Sequence, residues 1–159
     1  DGYGKTLQKP KVIGSAIEGA LAMLAKDWGF NPNSMKRALF DPNVDLAYPF
    51  NAAKSSSSVL VTRKDNSGGL RLFCKGASSH VLKDCAFFTG PDGKPQPLMS
   101  DSPKRRELEE MILGMADKAL CTICIAHIDF ASTADLPSGW QTECPDSNQM
   151  ICDAVVGIM

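Results

Sequence analysis

Two β-rich runs joined by a polar turn place the strongest local constraint on how this chain folds. The runs Ser58 to Arg63 and Gly69 to Lys75 combine β-branched and aromatic residues with alternating apolar positions. Between them lies Lys64-Asp-Asn-Ser-Gly-Gly69, whose Asp, Asn and Gly residues accept the left-handed backbone that hairpin turns require. We therefore predict that the two runs pair as antiparallel strands.

A helix is predicted at residues 16–28. Ser15-Ala-Ile-Glu18 has the form of a capping box, in which the serine oxygen accepts a hydrogen bond from the backbone N–H three residues later. Apolar residues recur at helical spacing up to Trp28, and Gly29 supplies a left-handed residue that ends a helix. The pattern favours a helix packed on the core.

Two further helices have clear boundaries. Asn31 begins a short helical segment that ends at Phe40, and Ser102 is a cap for a helix from Pro103 to about Lys118. That helix has one apolar face, and we expect Arg105 and its other charged residues to point into solvent. A helix capped by Ser78 or Ser79 is expected to run to about Cys85.

The remaining segments complete the fold class. A proline- and glycine-rich loop without regular structure is predicted at Gly90 to Pro97. Three more strands are expected at Asp45 to Phe50, Leu120 to His127 and Ile151 to Ile158. Mixed helices and strands in this order predict an α/β (α+β) fold with a central, mostly antiparallel sheet flanked by helices.

The size and charge of the chain indicate one domain over residues 1–159. The 159 residues are 43% hydrophobic and carry a formal net charge of −1, so nothing draws the chain to nucleic acid or to anionic lipid. No apolar run approaches the length that spans a bilayer. We expect six free cysteines in a cytosolic setting, and both chain ends read like those of a fragment of a longer protein.

Metal, redox and phosphate-loop chemistry fit the residue spacing poorly. Cys74, His80 and Cys85 lack the spacing of zinc ligands, and Cys121 and Cys124 would point to opposite faces of a strand. The Lys75-Gly-Ala-Ser-Ser79 sequence lacks the glycine-rich frame of a P-loop. Neither histidine has the context of a nucleophile's base, so no catalytic residue is predicted.

Two strand ends remain as candidates for binding a ligand. Lys75 is followed by Gly76 and Ala77, where a missing side chain would let a ligand approach the backbone. Phe50 ends another predicted strand and offers an aromatic surface for base stacking. Taken alone, the sequence favours Phe50 as an ordinary core residue over a base-stacking surface.

The chain resembles the nucleotide-binding domain of P-type cation-transporting ATPases, most closely those of the plasma-membrane calcium-pump type. The resemblance covers nearly the whole chain in the right order. It is carried by Val12-Ile-Gly-Ser-Ala-Ile-Glu-Gly-Ala-Leu21, Tyr48-Pro-Phe-Asn51, Phe73-Cys-Lys-Gly-Ala-Ser78, Ala119-Leu-Cys-Thr-Ile-Cys-Ile-Ala126, Asp129-Phe130 and Val155-Val-Gly-Ile158.

The resemblance implies a nucleotide site. Phe50 would stack on adenine, Lys75 would lie along the nucleotide, and Glu18 would reach the adenine edge. The full set of implied nucleotide-binding residues is Glu18, Phe50, Asn51, Lys54, Lys75, Gly76 and Ala77. It also implies ATP as the ligand, with Mg²⁺ in the parent protein. No metal site is predicted in this chain, because the cysteine and histidine spacing does not suit one.

The resemblance implies a parent protein as well. In such pumps this domain presents ATP to an aspartate of a neighbouring phosphorylation domain, and an actuator domain belongs to the same chain. The parent would be an ATP-driven calcium transporter of the plasma membrane or an organelle membrane, with this domain in the cytosol. Alone, the domain would bind ATP without turnover.

Several positions depart from the family's pattern. Ser55 stands where a second lysine is usual, Cys121 where an arginine is usual, and Ser79 where a glutamate is usual. Ile17 and Ile128 replace a threonine and another arginine. Two alternatives stay open: a domain of this fold that has lost nucleotide affinity and regulates or binds partners, and a thiol-redox or metal-binding protein.

Overall fold

The computed structural model describes residues 15–159, which divide between Met35 and Lys36 into two compact units. The first unit contains helix α1 (Ala16–Asp27), and α2 (Pro32–Leu39) spans the division. As predicted, Ser15 Oγ accepts a hydrogen bond from the Glu18 backbone N–H, and Gly29 has a left-handed φ of +86°. The prediction that Trp28 packs in the core is wrong. This residue is the C-terminal cap of α1, and 68% of its surface is exposed.

Seven strands of the described chain form the sheet of the second unit. They are β1 (Leu46–Asn51), β2 (Ser56–Thr62), β3 (Leu70–Ala77), β4 (Cys85–Thr89), β5 (Pro95–Pro97), β6 (Cys121–Phe130) and β7 (Met150–Ile158). Their spatial order is β1-β2-β3-β6-β7-β4-β5, and every neighbouring pair is antiparallel except β4 and β7. The predicted fold class and the β2–β3 hairpin are confirmed.

The sheet buries one face tightly. Strand β3 alternates buried and half-buried residues along its length, with Leu72 and Cys74 on the buried face. Helices α3 (Ser78–Val81) and α4 (Pro103–Ala116) pack on this face, since Val81 and Leu108 belong to the same hydrophobic cluster. Lys75 lies on the opposite face of β3, which it shares with Phe73.

The segment after β3 differs from the prediction. Helix α3 ends at Val81, a 3₁₀ turn follows at Leu82–Asp84, and Cys85 already begins β4. Neither serine caps α3: the cap position is Ala77, and Ser78 Oγ is buried without a hydrogen-bond partner among the described residues. Burial of Leu82 and Cys85 explains the early end, because both side chains pack into the core.

Two local predictions around α4 and β5 are also wrong. Arg105 is 9% exposed, because its Nη1 and Nη2 donate to the carbonyl oxygens of Leu82 (2.7 Å) and Cys85 (2.9 Å). The loop at residues 90–97 contains β5, whose prolines are tolerated because this strand lies at the edge of the sheet. The Ser102 cap is confirmed, since its Oγ accepts from the Arg105 N–H at 3.2 Å.

Candidate nucleotide site

The sheet brings most of the predicted site residues to one end of three adjacent strands. Asn51 of β1 pairs with Ser56 of β2, which pairs with Gly76 of β3. Neighbouring strands lie about 4.8 Å apart, so Asn51 and Gly76 are separated by about 10 Å. Phe50, Asn51, Lys54, Lys75, Gly76 and Ala77 all belong to these strand ends or to the turn that joins β1 to β2.

Phe50 is an exposed aromatic residue at the end of β1. Its exposed fraction is 66%, so the core interpretation is wrong for this position. The buried aromatic of the strand is Tyr48, which sits opposite Ser58 and donates a 2.6 Å hydrogen bond to the Trp140 carbonyl. The pairing of β1 with β2 shifts register between Tyr48 and Asn51. Phe50 lies within this irregularity and has no paired residue in the β1–β2 register.

Asn51 shapes the turn that follows it. Its Oδ1 accepts hydrogen bonds from the backbone N–H groups of Ala53 (2.9 Å) and Lys54 (3.2 Å), which is the geometry of an Asx turn. The turn closes at Ser55, whose φ of +49° is left-handed. Asn51 therefore positions the turn beside Phe50.

Gly76 is required by the protein's own backbone. A Cβ atom at this position would lie 2.3 Å from the Ser55 carbonyl oxygen and 2.7 Å from the Ser56 Cα. The same carbonyl accepts a 3.0 Å hydrogen bond from the Ala77 N–H. The space expected for a ligand on the side-chain side of Gly76 is thus filled by the β1–β2 turn, and that turn is held against the end of β3.

Lys54 forms hydrogen bonds with the segment that precedes β7. Its Nζ donates to Asp146 Oδ1 at 2.5 Å and to the Cys144 carbonyl at 3.4 Å. The hydrogen bond to Asp146 raises the pKa of Lys54, against a smaller opposing effect of burial. These contacts use two of the three Nζ protons, so a phosphate would either take the third proton or compete with Asp146 for Lys54.

Glu18 lies on α1 in the first unit, whereas the six other predicted residues lie in the second unit. Among the positions that depart from the family's pattern, Cys121 is exposed at the start of β6. The register of β3 with β6 places Cys121 on the same sheet face as Lys75 and Ala77. Ile128 pairs with the buried Leu72 and packs against the core.

Sequence reasoning missed a polar network on the Lys75 face of the sheet. Arg71 donates to both carboxylate oxygens of Asp129 at 2.7 and 2.8 Å, and this hydrogen bonding lowers the pKa of Asp129. One strand pair further on, His127 Nδ1 lies 2.6 Å from Asp153 Oδ2. Arg71 and Asp129 lie directly opposite each other on β3 and β6, so their opposite charges were the available signal, but recognising it required the strand register.

The cysteines are free thiols, as predicted. Cys121 is exposed and Cys124 is buried, so the CxxC sequence forms no close pair. Cys124 instead lies 3.7 Å from Cys152 in the core, measured between sulfur atoms. Within residues 15–159, no group of three or more His, Cys, Asp or Glu side chains is placed to hold a metal, and no described helix is long and apolar enough to cross a membrane.

Known proteins match this chain over nearly its whole length. Residues 2–159 match the family model described as P-type ATPase, cytoplasmic domain N. Plasma membrane calcium-transporting ATPase 1 of Gallus gallus is 31% identical over 151 residues, which cover 94% of this chain and 12% of that protein. Calcium-transporting ATPase PAT1 of Dictyostelium discoideum is 34% identical over 151 residues, with the same two coverages. The chain spans about 12% of the length of these relatives.

Proposed function

Because this chain belongs to the family of P-type ATPase cytoplasmic N domains, we propose that residues 1–159 act as one ATP-binding domain of a longer calcium-transporting pump. ATP would lie across the end of the sheet formed by β1, β2 and β3. The observation that carries the proposal is the exposed Phe50, which the strand register brings within two strands of Lys75.

Each residue at the sheet end has a distinct role in this proposal. Phe50 stacks on the adenine ring, and Lys75 supplies a positive charge along the phosphates. Gly76 and Ala77 hold the β1–β2 turn in place, and Asn51 shapes that turn. Lys54 adds a second charge, either through its third Nζ proton or after it leaves Asp146. Glu18 is assigned to the adenine edge by family resemblance alone.

The expected affinity is weak. Stacking contributes about 1–3 kcal/mol per base, and a hydrogen bond to a charged group contributes about 1.5–3 kcal/mol. A millimolar Kd corresponds to about 4 kcal/mol, so we expect a Kd from about 0.1 mM to several mM. Mg²⁺ would arrive with ATP and neutralise phosphate charge.

The domain alone is not expected to hydrolyse ATP. Phosphoryl transfer in the proposed parent uses an aspartate of a separate phosphorylation domain, with the actuator domain as a further partner in the same chain. The parent would be a membrane-embedded calcium pump of the plasma membrane or an organelle, and this domain would face the cytosol.

Titration of the ¹⁵N-labelled chain with Mg-ATP tests the proposal. Amide shifts are expected around Phe50 and Lys75, and Phe50→Ala should weaken binding by about tenfold, the loss of one stacking contact. Met99→Ala is the matched control, because Met99 is also an apolar residue with 66% exposure. Absence of shifts at 10 mM ATP, or equal weakening by both variants, would refute the assignment.

The alternative function is a regulatory or interaction domain with little nucleotide affinity. It is favoured by the engagement of Lys54 with Asp146 and by Ser55 and Cys121 at positions where the family usually has cations. Restoring the cations with Ser55→Lys and Cys121→Arg should strengthen ATP binding if the site has lost affinity by substitution. If the double variant binds ATP no more tightly than the unsubstituted chain, the idea that these substitutions reduced the affinity is contradicted.

A further inference from the structure

A cleft of about 280 Å³ opens between α3 with its 3₁₀ turn on one side and α4 on the other. Its apolar walls include Leu82, Ile112 and Leu113. All of its lining residues belong to the second unit. The cleft lies on the face of β3 opposite to Lys75, because α3 and α4 pack on the buried face of the sheet.

Two of the residues that line this cleft carry a buried polar atom without a partner. Ser78 is 1% exposed and Arg105 is 9% exposed. Ser78 Oγ and Arg105 Nε are buried, and neither has a hydrogen-bond partner in the described part of the chain. The other two guanidinium nitrogens of Arg105 are already satisfied by main-chain carbonyls. Because buried polar groups are normally paired, these two atoms point to a ligand that carries acceptor oxygens.

The charge around the cleft favours an anion. Arg105 forms no ion pair with any described carboxylate, although Glu109 also lines the cleft. Glu109 is exposed, and Lys83 at the rim is an exposed cation. Two cations and one carboxylate leave a net positive cleft around a buried guanidinium, which is the complement of a carboxylate group.

We propose that this cleft binds a small carboxylate with an apolar body. Ser78 Oγ and Arg105 Nε are both covered when the cleft is empty, so side chains at the floor of the cleft must shift before a carboxylate oxygen can accept a hydrogen bond from either atom. The apolar body lies against Leu82, Ile112 and Leu113. A cavity of about 150 Å³ holds benzene, so this volume accommodates a phenylalkanoate of about twelve non-hydrogen atoms. The proposal does not depend on the nucleotide site.

The test is a titration of the ¹⁵N-labelled chain with 4-phenylbutyrate. Amides of residues 78–83 and 105–113 should shift, while amides around Phe50 stay in place. The neutral 4-phenylbutanamide and the cationic 4-phenylbutylamine have the same body, and each should bind at least about tenfold more weakly than the acid, because it lacks the charged acceptor. No shifts in the cleft, or equal binding of acid and amide, would overturn the proposal.

Variants separate binding from folding. Ser78→Ala should weaken phenylbutyrate binding several-fold without lowering stability, because it removes a hydroxyl that has no partner. Leu113→Asp should weaken binding by charge repulsion, whereas Met111→Asp, also on an exposed part of α4 but outside the cleft, should not. Equal loss of binding in both α4 variants would refute the placement of the ligand.

Discussion

Substitution of Gly76 by alanine is predicted to destabilise the second unit by a mechanism that the structure specifies. The new Cβ would lie 2.3 Å from the Ser55 carbonyl oxygen. Real Cβ atoms essentially never approach other atoms closer than 3.0 Å, so the β1–β2 turn must move away by about 0.7 Å. The atom in the way belongs to the main chain. A rotamer change cannot relieve such a clash.

The magnitude follows from two contributions. Overpacking a well-packed site costs about 1–3 kcal/mol, and weakening the hydrogen bond from Ala77 N–H to Ser55 removes a further 0.5–1.5 kcal/mol or so. We therefore expect Gly76→Ala to lower the free energy of unfolding by about 2–4 kcal/mol. In urea the midpoint should fall while the slope stays constant, because the surface exposed on unfolding is unchanged.

Two other glycines serve as graded controls. A Cβ at Gly157 would lie 2.9 Å from Leu120 Cδ1 and Met115 Sδ, which are flexible side-chain atoms, so a smaller loss is expected. A Cβ at Gly114 on α4 would meet nothing within 4 Å, and alanine there should stabilise by up to about 1 kcal/mol. If Gly76→Ala is as stable as the unsubstituted chain, or if it costs no more than Gly157→Ala, the close-approach argument fails.

Three further predictions concern individual side chains. Asp129→Asn should lower the free energy of unfolding by about 1 kcal/mol or less at pH 7, since its partner Arg71 is also partly exposed. The folded-state pKa of Asp129 lies below the ordinary value of 3.8, so this stabilisation is present above that pH and is lost as the pH falls through the folded-state pKa. The difference in urea midpoint between the variant and the unsubstituted chain should therefore vanish in strong acid. Tyr48→Phe should cost about 1 kcal/mol by removing the hydrogen bond to a loop carbonyl, and an unchanged thermal midpoint would contradict it. Asp146→Asn should free Lys54 and strengthen ATP binding up to about fivefold by calorimetry, the value of an exposed ion pair, whereas weaker binding would count against Lys54 as a phosphate contact.

Local signals predicted those parts of the fold that depend on a few consecutive residues. The turn at residues 64–69 determined the β2–β3 hairpin, and Ser102 with Pro103 determined the start of α4. Arg105 could not be placed in this way. Its burial depends on the carbonyls of Leu82 and Cys85, which lie about twenty residues earlier in the chain and come near only in the folded state.

The same distinction applies to the candidate site. Family resemblance selected Phe50 and Lys75, but their proximity follows from the register of β1, β2 and β3, which no local pattern encodes. The surroundings of Gly76 also depend on that register. A glycine beside a lysine suggested room for a ligand, whereas the strand pairing fills that room with the Ser55 main chain.

The junction between β3 and α3 connects the two proposed binding sites. Gly76 and Ala77 hold the turn beside Phe50, and the next residue, Ser78, contributes a buried hydroxyl to the cleft on the other face. ATP would lie across the sheet end and phenylbutyrate on the face opposite to Lys75, so the two ligands do not compete for space, and this junction is the direct chain connection between their sites. Such coupling is reciprocal: if phenylbutyrate changes the Kd for ATP by some factor, ATP must change the Kd for phenylbutyrate by the same factor. Gly76→Ala, which displaces the junction on the turn side, should alter that factor more than Gly114→Ala, which leaves the junction unchanged.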